Sequence, residues 1–173
     1  MARRLLTPPT VRLAQPEDAA AIRSFRCGHR PWYVQDATKV IRKAASVLGT
    51  PAAARETKVL LFEADDRLIA VSIVQQAHEP HTADLVVLAI HEDVQGAWLD
   101  EKPPRPLCVA TLEETAHLAA RDGYERILAI AAEQNEKSVR LITRAGFSPV
   151  TRLDGDYTLY QAALPKTESR DSS

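Results

Sequence analysis

The sequence predicts an α/β protein with a mixed, mostly antiparallel sheet of about seven strands and helices on both faces. Three observations lead to this class. The 173 residues suit one domain. Strand and helix patterns follow one another in the order β-αα-βββ-α-β-α-ββ. Hairpin signals on both sides enclose a central strand, helix and strand, which is the pattern of two parallel neighbours.

The first third of the chain predicts one strand and two helices. Residues 11–14 alternate apolar and polar side chains, as in a half-buried strand. Pro16 then suits a first helical turn, and the two acidic residues after it suit the positive end of a helix dipole. Residues 35–48 repeat apolar side chains at helical spacing. Gly and Pro within residues 49–51 end that helix.

The same periodicities assign the rest of the chain. Residues 58–63 and 67–75 are separated by turn residues, as are residues 150–153 and 157–163, which predicts two hairpins. Residues 84–90 are apolar after the first position, which favours a strand buried on both faces. The remaining elements are a helix over residues 107–121, a strand over residues 126–131 and a helix over residues 135–144.

Composition and charge exclude several classes of protein. The 22 basic and 23 acidic residues leave a net charge of -1, so no basic field is available to hold nucleic acid. Only Cys27 and Cys108 occur, too few for a disulfide framework or a zinc cluster, and we expect no metal site. The longest apolar run, residues 85–90, is far too short to cross a bilayer, so no membrane partner is expected.

We expect a single domain over residues 11–164, a flexible N-terminus over residues 1–10 and a disordered tail over residues 165–173. The tail has no apolar side chain that could anchor it. The first nine residues contain two arginines but no apolar stretch of the kind found in signal peptides. Together with the two cysteines, this predicts a reducing, cytoplasmic location.

One local motif opens the last predicted helix. Asn135 is followed by Ser138, Leu141, Gly146 and Phe147 at spacings that resemble the GCN5-related N-acetyltransferase (GNAT) superfamily. The order of elements across the chain is similar to that family as well. The resemblance implies an acyl-CoA N-acyltransferase-like fold with acetyl-CoA as cosubstrate. The residues alone have a simpler explanation, in which Asn135 caps the helix and Gly146 ends it.

The resemblance also implies a coenzyme A site. The family holds the pyrophosphate in a Gly-rich loop that follows a strand and opens a helix, where free N–H groups favour anions. Gln95 and Gly96 match the start of that loop, but Trp98 and Asp100 stand where further glycines are expected. The binding residues implied are Leu88, Ala89, Ile90, Gln95, Gly96, Arg105, Leu107, Asn135 and Ser138.

Two interpretations of this altered loop stay open. Arg105 lies just before the next predicted helix, and its charge could replace the missing backbone N–H groups. In the other interpretation the site is lost and acyl-CoA does not bind. An isolated arginine is most often simply a solvated surface residue.

Asp84 and Tyr157 are the candidate acid–base residues. The resemblance implies that Asp84, six residues before the last apolar residue of its strand, takes a proton from the attacking amine. The alternative is an exposed acid at the start of a strand. Ile142 stands where the family usually has a Tyr that protonates the leaving thiolate. Tyr157 or Tyr160 could replace that acid, although packing is the commoner role of such residues.

The resemblance therefore predicts an acyl-CoA-dependent N-acyltransferase that moves an acetyl or short acyl group to an amine of a small molecule or protein by direct attack. The alternative is a catalytically inactive GNAT-like binding or regulatory module. An acyltransferase acting on charged tRNA is disfavoured because there is no excess of basic residues. A homodimer is left open.

Overall fold

The computed structural model describes residues 4–28, 32–48, 50 and 57–165. Its strands are β1 (Leu5–Leu6), β2 (Thr10–Leu13), β3 (Thr57–Ala64), β4 (Arg67–Gln76), β5 (Thr82–Ile90), β6 (Trp98–Leu99), β7 (Arg105–Pro106), β8 (Arg126–Ala132), β9 (Ser148–Leu153) and β10 (Tyr157–Ala163). Its α-helices are α1 (Ala19–Ser24), α2 (Trp32–Val47), α3 (Leu107–Arg121) and α4 (Glu136–Arg144). Short 3₁₀ turns lie at Pro16–Asp18 and Glu92–Val94.

Seven strands form the main sheet in the order β2-β3-β4-β5-β8-β10-β9. Every neighbouring pair is antiparallel except β5 and β8, which are parallel and are joined through α3. A parallel pair needs a long crossover, and a helix is the usual one. The predicted fold class is confirmed, including the parallel neighbours at the centre.

Helices cover both faces of this sheet. On one face, here called the α2 face, α1 and α2 pack through Ile22 and Ile41 against apolar side chains of β3, β4 and β5. On the other, called the α3 face, α3 and α4 pack through Leu112 and Ile142 against β5, β8 and β10. Side chains alternate between the two faces along each strand. A side chain that is buried on one face therefore shows that its neighbours in the strand point to the other face.

A second, three-stranded sheet in the order β1-β6-β7 is absent from the sequence-based expectations. Leu5 and Leu6 pair with Trp98 and Leu99, and the N–H of Asp100 donates to the Leu6 carbonyl at 2.8 Å. These first residues lie in the segment that we expected to be flexible. Strands of two residues show no periodicity, so the sequence pattern contains no signal for them.

Several element boundaries differ from the expectations. Strand β5 begins at Thr82 rather than residue 84, and β9 begins at Ser148 rather than residue 150. Helix α3, by contrast, spans Leu107–Arg121, the range that the sequence predicted. Buried polar residues explain the first difference, because Thr82 is fully buried and its hydroxyl donates to the Pro80 carbonyl at 3.1 Å. Residues 166–173 of the expected tail lie outside the described residues.

Candidate functional site

The central parallel pair opens into a gap. β5 and β8 are paired only from Thr82 with Arg126 to Leu85 with Ala129. Beyond that point β5 continues to Ile90 and β8 continues to Ala132, and no strand of the described chain lies between them. The two strands, which the sequence predicted to be parallel neighbours, therefore separate at their carboxyl ends.

A β-bulge in β5 explains where the gap starts. In the pairing with β4, Val87 lies opposite Ile73 and Leu85 lies opposite Val74, so Val86 is an extra residue. A bulge bends the strand that carries it and increases its twist. Pairing with β8 ends at Leu85, directly before Val86. The bulge therefore bends the upper half of β5 away from β8 while β5 stays attached to β4.

Backbone groups of β5 point into this gap. The His91 N–H donates to the Ile69 carbonyl of β4 at 2.9 Å. Hydrogen bonds in an antiparallel ladder alternate, so the N–H of Ala89 also faces β4, whereas those of Leu88 and Ile90 face the opposite way. Of the three residues predicted to contact coenzyme A here, two therefore direct backbone N–H and C=O groups into the gap.

Asp84 lies on the α2 face, just below the gap. Its neighbours Ala83 and Leu85 are buried on the α3 face, so the Asp84 side chain points the other way. Gln75, directly opposite on β4, hydrogen-bonds its carboxylate. Partial burial raises the pKa of Asp84, although the Gln75 hydrogen bond and nearby His78 oppose that shift. The residue is thus inside a strand and half-buried, not at the end of a solvated loop.

The second candidate, Tyr157, lies farther from the gap. It begins β10 opposite Ala132, so β8 separates it from β5. Its hydroxyl donates to Asp36 Oδ2 of α2 at 3.4 Å. Burial raises the pKa of Tyr157, and Asp36 raises it further. Asp84 and Tyr157 are therefore two strands apart and at different levels of the sheet, and the structure does not bring them together.

Ile142 and Tyr160 are both core residues on the α3 face. They are 6% and 8% exposed and belong to one apolar cluster with Ala129, Ala131 and Phe147. Tyr160 therefore has the packing role that the sequence also allowed. Ile142 contributes apolar surface behind β8 and offers no proton.

Residues 91–106, called the connecting segment, join β5 to α3 and are pinned at several points. Gln95 Nε2 donates to the Cys27 carbonyl at 3.0 Å, so this side chain ties the segment to the chain between α1 and α2. Gly96 has a φ of +77°, and a Cβ there would meet no atom within 4 Å. The positive φ, rather than a lack of space within the chain, requires glycine at this turn.

The start of α3 differs most from the predicted phosphate cradle. Arg105 forms ion pairs with Glu101 and Glu113, so one guanidinium faces two carboxylates. The Leu107 N–H, a free donor in the prediction, donates to the Ala97 carbonyl at 3.0 Å. The arginine is partly exposed but already paired, and an anion would have to compete with two glutamates for it.

Cys108 occupies the same helix start. Its thiol accepts hydrogen bonds from the N–H groups of Val109 and of Cys108 itself. Burial raises the pKa of the thiol, and those backbone donors oppose the rise only in part. Cys27 is buried and also free. A raised pKa disfavours the reactive thiolate form of Cys108.

The start of α4 agrees with the motif. Asn135 precedes the helix, and its side-chain oxygen accepts the Ser138 N–H at 3.3 Å. This is the capping contact that the residues alone predict. Gly146 follows the helix with a φ of +89°, a conformation that favours glycine at a helix end. Capping explains the spacing of both residues, and a role in ligand binding stays a prediction.

Comparison with solved structures identifies this architecture. An N-acetyltransferase for the alanine of ribosomal protein S18 from Escherichia coli superposes with a TM-score of 0.65 at 16% identity, covering 95% of this chain and 99% of that one. A Desulfovibrio desulfuricans protein assigned to the GNAT acetyltransferase family gives 0.70 at 19% identity, covering 90% and 98%. The chain has the GNAT fold.

A further GNAT-fold neighbour was crystallised with a ligand. The PaiA N-acetyltransferase from Thermoplasma acidophilum, in complex with coenzyme A, matches with a TM-score of 0.65 at 14% identity over 90% of this chain and 98% of that one. No protein-family model matches the sequence. No curated protein matches it either. The similarity is therefore one of fold, at sequence identities too low to carry residue roles.

Two further features of the described residues concern metal ions and membranes. The described residues include no group of three or more His, Cys, Asp or Glu side chains placed to hold a metal ion. None of the helices in the described ranges is long and apolar enough to cross a membrane. The sequence predicted the parallel neighbours that form the gap, but it missed the bulge in β5, because an uninterrupted apolar run shows no change of alternation.

Proposed function

We propose that this protein is an acyl-CoA-dependent N-acyltransferase that moves an acetyl or short acyl group to an amine. The bulged gap between β5 and β8 carries the proposal. It combines unpaired backbone groups from Leu88 and Ile90 with a half-buried carboxylate, Asp84, just below them on the α2 face. Occurrence of the same fold in acetyltransferases, one with coenzyme A bound, supports it.

The residues at the gap suit acetyl-CoA well, whereas those at the start of α3 differ from the expected phosphate site. The N–H groups of Leu88 and Ile90 suit the amide-bearing arm and the thioester carbonyl of such a ligand, since both need donors from a fixed backbone. Asn135 and Ser138 would lie along the same ligand. Gln95, Gly96, Arg105 and Leu107 would hold the pyrophosphate end, where Arg105 must first leave at least one glutamate.

The bound thioester supplies an activated acyl group, and the chain supplies positioning and a proton acceptor. N–H groups directed into the gap stabilise negative charge on the thioester oxygen. Asp84, with its raised pKa, accepts a proton from the amine through water. The attack needs no covalent enzyme intermediate.

Tyr157 has a different place in this proposal from the one the sequence suggested. Its hydroxyl already donates to Asp36, and β8 stands between it and the gap. This arrangement supports contact with the amine substrate more than protonation of the thiolate. A thiolate leaves without an acid because ordinary thiols have a pKa of about 8.5. The proposed location is cytoplasmic, consistent with free Cys27 and Cys108.

Thermal unfolding with and without acetyl-CoA tests the proposal directly. A ligand at one hundred times its Kd adds about 2.7 kcal/mol to the free energy of unfolding. We expect acetyl-CoA and coenzyme A to raise the Tm and a broad panel of amines to release free thiol from acetyl-CoA. A raised Tm without turnover would favour the inactive binding module. No change in Tm and no turnover would refute the acyltransferase.

A further inference from the structure

An apolar strip that the described helices leave partly exposed lies beside the gap on the α2 face. Ile127 and Ala129 of β8 are buried on the α3 face, so Leu128 and Ile130 between and beyond them point to the α2 face. Leu159 of β10 is paired with Ile130 and shares its face. We call Leu128, Ile130 and Leu159 the acceptor strip.

The strip is exposed because the helices of this face pack elsewhere. α1 and α2 bury Val71, Ile73, Val87 and Ala89, which belong to β4 and β5. Ile130, by contrast, is 57% exposed, and Leu128 and Leu159 are only partly buried. A large apolar side chain so exposed beside a cleft indicates a binding surface more than a packing surface.

The charges at the two ends of the strip differ. At the lower end, Asp84 is paired with Leu128 and carries a carboxylate that no described ion pair neutralises. At the upper end, the Asp36 carboxylate is matched by Lys39 at 3.3 Å and by the Tyr157 hydroxyl. The strip therefore offers one unmatched negative charge, a stretch of apolar surface and a polar but compensated end.

We propose that the acyl acceptor is a primary amine with one positive charge, carried on an apolar alkyl or aryl body. This inference rests on the proposed acyltransferase function. The ammonium group would lie at the gap near Asp84, and the apolar body would cover Ile130 and Leu159. A diamine fits less well, because its second charge would meet an Asp36 that Lys39 already matches.

The reaction of this acceptor balances without a further reagent. The ammonium loses one proton through water to Asp84, and the neutral nitrogen attacks the thioester carbonyl carbon. The C–N bond forms, the C–S bond breaks and the thiolate leaves with the bonding electron pair. The nitrogen then loses a second proton, so that an ammonium and a thioester give an amide, a thiol and one proton released to solvent.

Binding and turnover of a matched amine series test the inference. n-Hexylamine and 2-phenylethylamine represent apolar monoamines, whereas ethanolamine and 1,4-diaminobutane represent a polar monoamine and a diamine. Affinities are measured by calorimetry on the protein saturated with coenzyme A, and turnover by thiol release from acetyl-CoA. We expect the two apolar monoamines to bind about tenfold or more tightly than ethanolamine, as for a few methylene groups in an apolar site.

Ile130→Ser should remove most of that preference, while Leu5→Ser should leave it unchanged. Leu5 is a matched control because it is 54% exposed but lies in the small sheet. Equal affinity across the series, tighter binding of the diamine, or an unchanged preference in Ile130→Ser would overturn the acceptor class. Failure of acetyl-CoA to raise the Tm, together with no release of thiol with any amine, would instead refute the acyltransferase itself.

Discussion

The gap between β5 and β8 and the connecting segment beside it are built in opposite ways. The gap depends on backbone alone, because one extra residue at Val86 separates the strands and leaves alternate N–H groups unpaired. The connecting segment depends on side chains, with Arg105 held between Glu101 and Glu113. A site made from backbone tolerates exchange of most surrounding side chains, whereas a site made from ion pairs changes with each one.

This difference explains how the two ends of one ligand site can differ in their agreement with the GNAT fold. At the gap, the register of β4, β5 and β8 is enough to separate β5 from β8, whichever apolar side chains line the gap. At α3, other residues replace the glycines that would let the backbone approach a phosphate. The Leu107 N–H already donates a hydrogen bond to the Ala97 carbonyl. The gap should therefore respond to changes of backbone and the connecting segment to changes of charge.

The largest effect is expected from Leu88→Pro. Proline removes the N–H that points into the gap but leaves the ladder to β4 intact. Acyl transfer should fall by about 10²–10³-fold, the usual loss for one donor to a developing oxyanion. Val87→Pro is the matched control, since it removes an N–H that bonds to β4 and should lower the Tm strongly instead. Steady-state rates and circular dichroism separate the two outcomes, and an active, folded Leu88→Pro variant would contradict the role of the gap.

Asp84→Asn should lower the rate by about 10²-fold without changing the affinity for coenzyme A. In the unsubstituted protein the rate should rise with pH as Asp84 ionises, with a midpoint shifted upward from the ordinary value for aspartate by the partial burial that raises its pKa. A pH–rate profile and calorimetry with coenzyme A measure both effects. Asp154→Asn, in the exposed β9–β10 turn, is the control and should keep the full rate.

Asp84→Asn should also change how the free energy of unfolding depends on pH. The folded protein holds the Asp84 proton more tightly than the unfolded chain, so this group stabilises the fold below its unfolded pKa. That contribution is lost as pH rises through the folded pKa. Above that pKa, Asp84→Asn should therefore be at least as stable as the unsubstituted protein. Denaturant unfolding at acidic and neutral pH measures this order, and a more stable unsubstituted protein above the folded pKa would contradict the raised pKa of Asp84.

Arg105→Ala should weaken the binding of coenzyme A by about 1.5 kcal/mol. This is the lower end for a charge-assisted hydrogen bond, because Arg105 is already paired with two glutamates. The double variant Glu101→Gln with Glu113→Gln should act in the opposite direction and strengthen coenzyme A binding by freeing the guanidinium. Calorimetry on both variants gives the sign. Unchanged affinity in both would mean that the connecting segment does not hold the pyrophosphate.

Ile142→Tyr should have the smallest effect. A hydroxyl at this position would offer an acid to the thiolate, and the rate should rise by less than tenfold because a thiolate leaves readily. Ile142 is buried, so the larger ring should also cost about 1–3 kcal/mol of stability. Ile142→Phe carries the same ring without the hydroxyl. Equal rates for the Tyr and Phe variants would show that a hydroxyl on α4 does not act as an acid in the reaction.

The sequence predicted the main sheet well, because its strands and helices are long enough to show their periodicities. The strand from Thr82 to Ile90, the helix from Leu107 and the Asn135 cap lie close to where the patterns placed them. What the pattern could not contain was the extra residue at Val86. Side chains on the α3 face change from odd to even positions across it, and an apolar run conceals that change.

The partners of Arg105 were also beyond prediction. Glu101 lies four residues before it, in the loop between β6 and β7, and Glu113 lies eight residues after it, on α3. Their approach depends on the path of the connecting segment, which itself depends on strands of two residues. Local periodicity describes elements, but a charge cluster of this kind depends on how three of them pack.

The bulge at Val86 also gives β5 an uneven protection of its amide hydrogens. Below Val86 the strand has a bonded neighbour on both sides, and above it only on one. Amides of Val87 and Ala89 should exchange slowly with deuterated solvent, while those of Leu88 and Ile90 exchange faster. A ligand seated in the gap would slow the second pair alone. The alternation along these four residues would therefore report occupancy of the gap without any measurement of turnover.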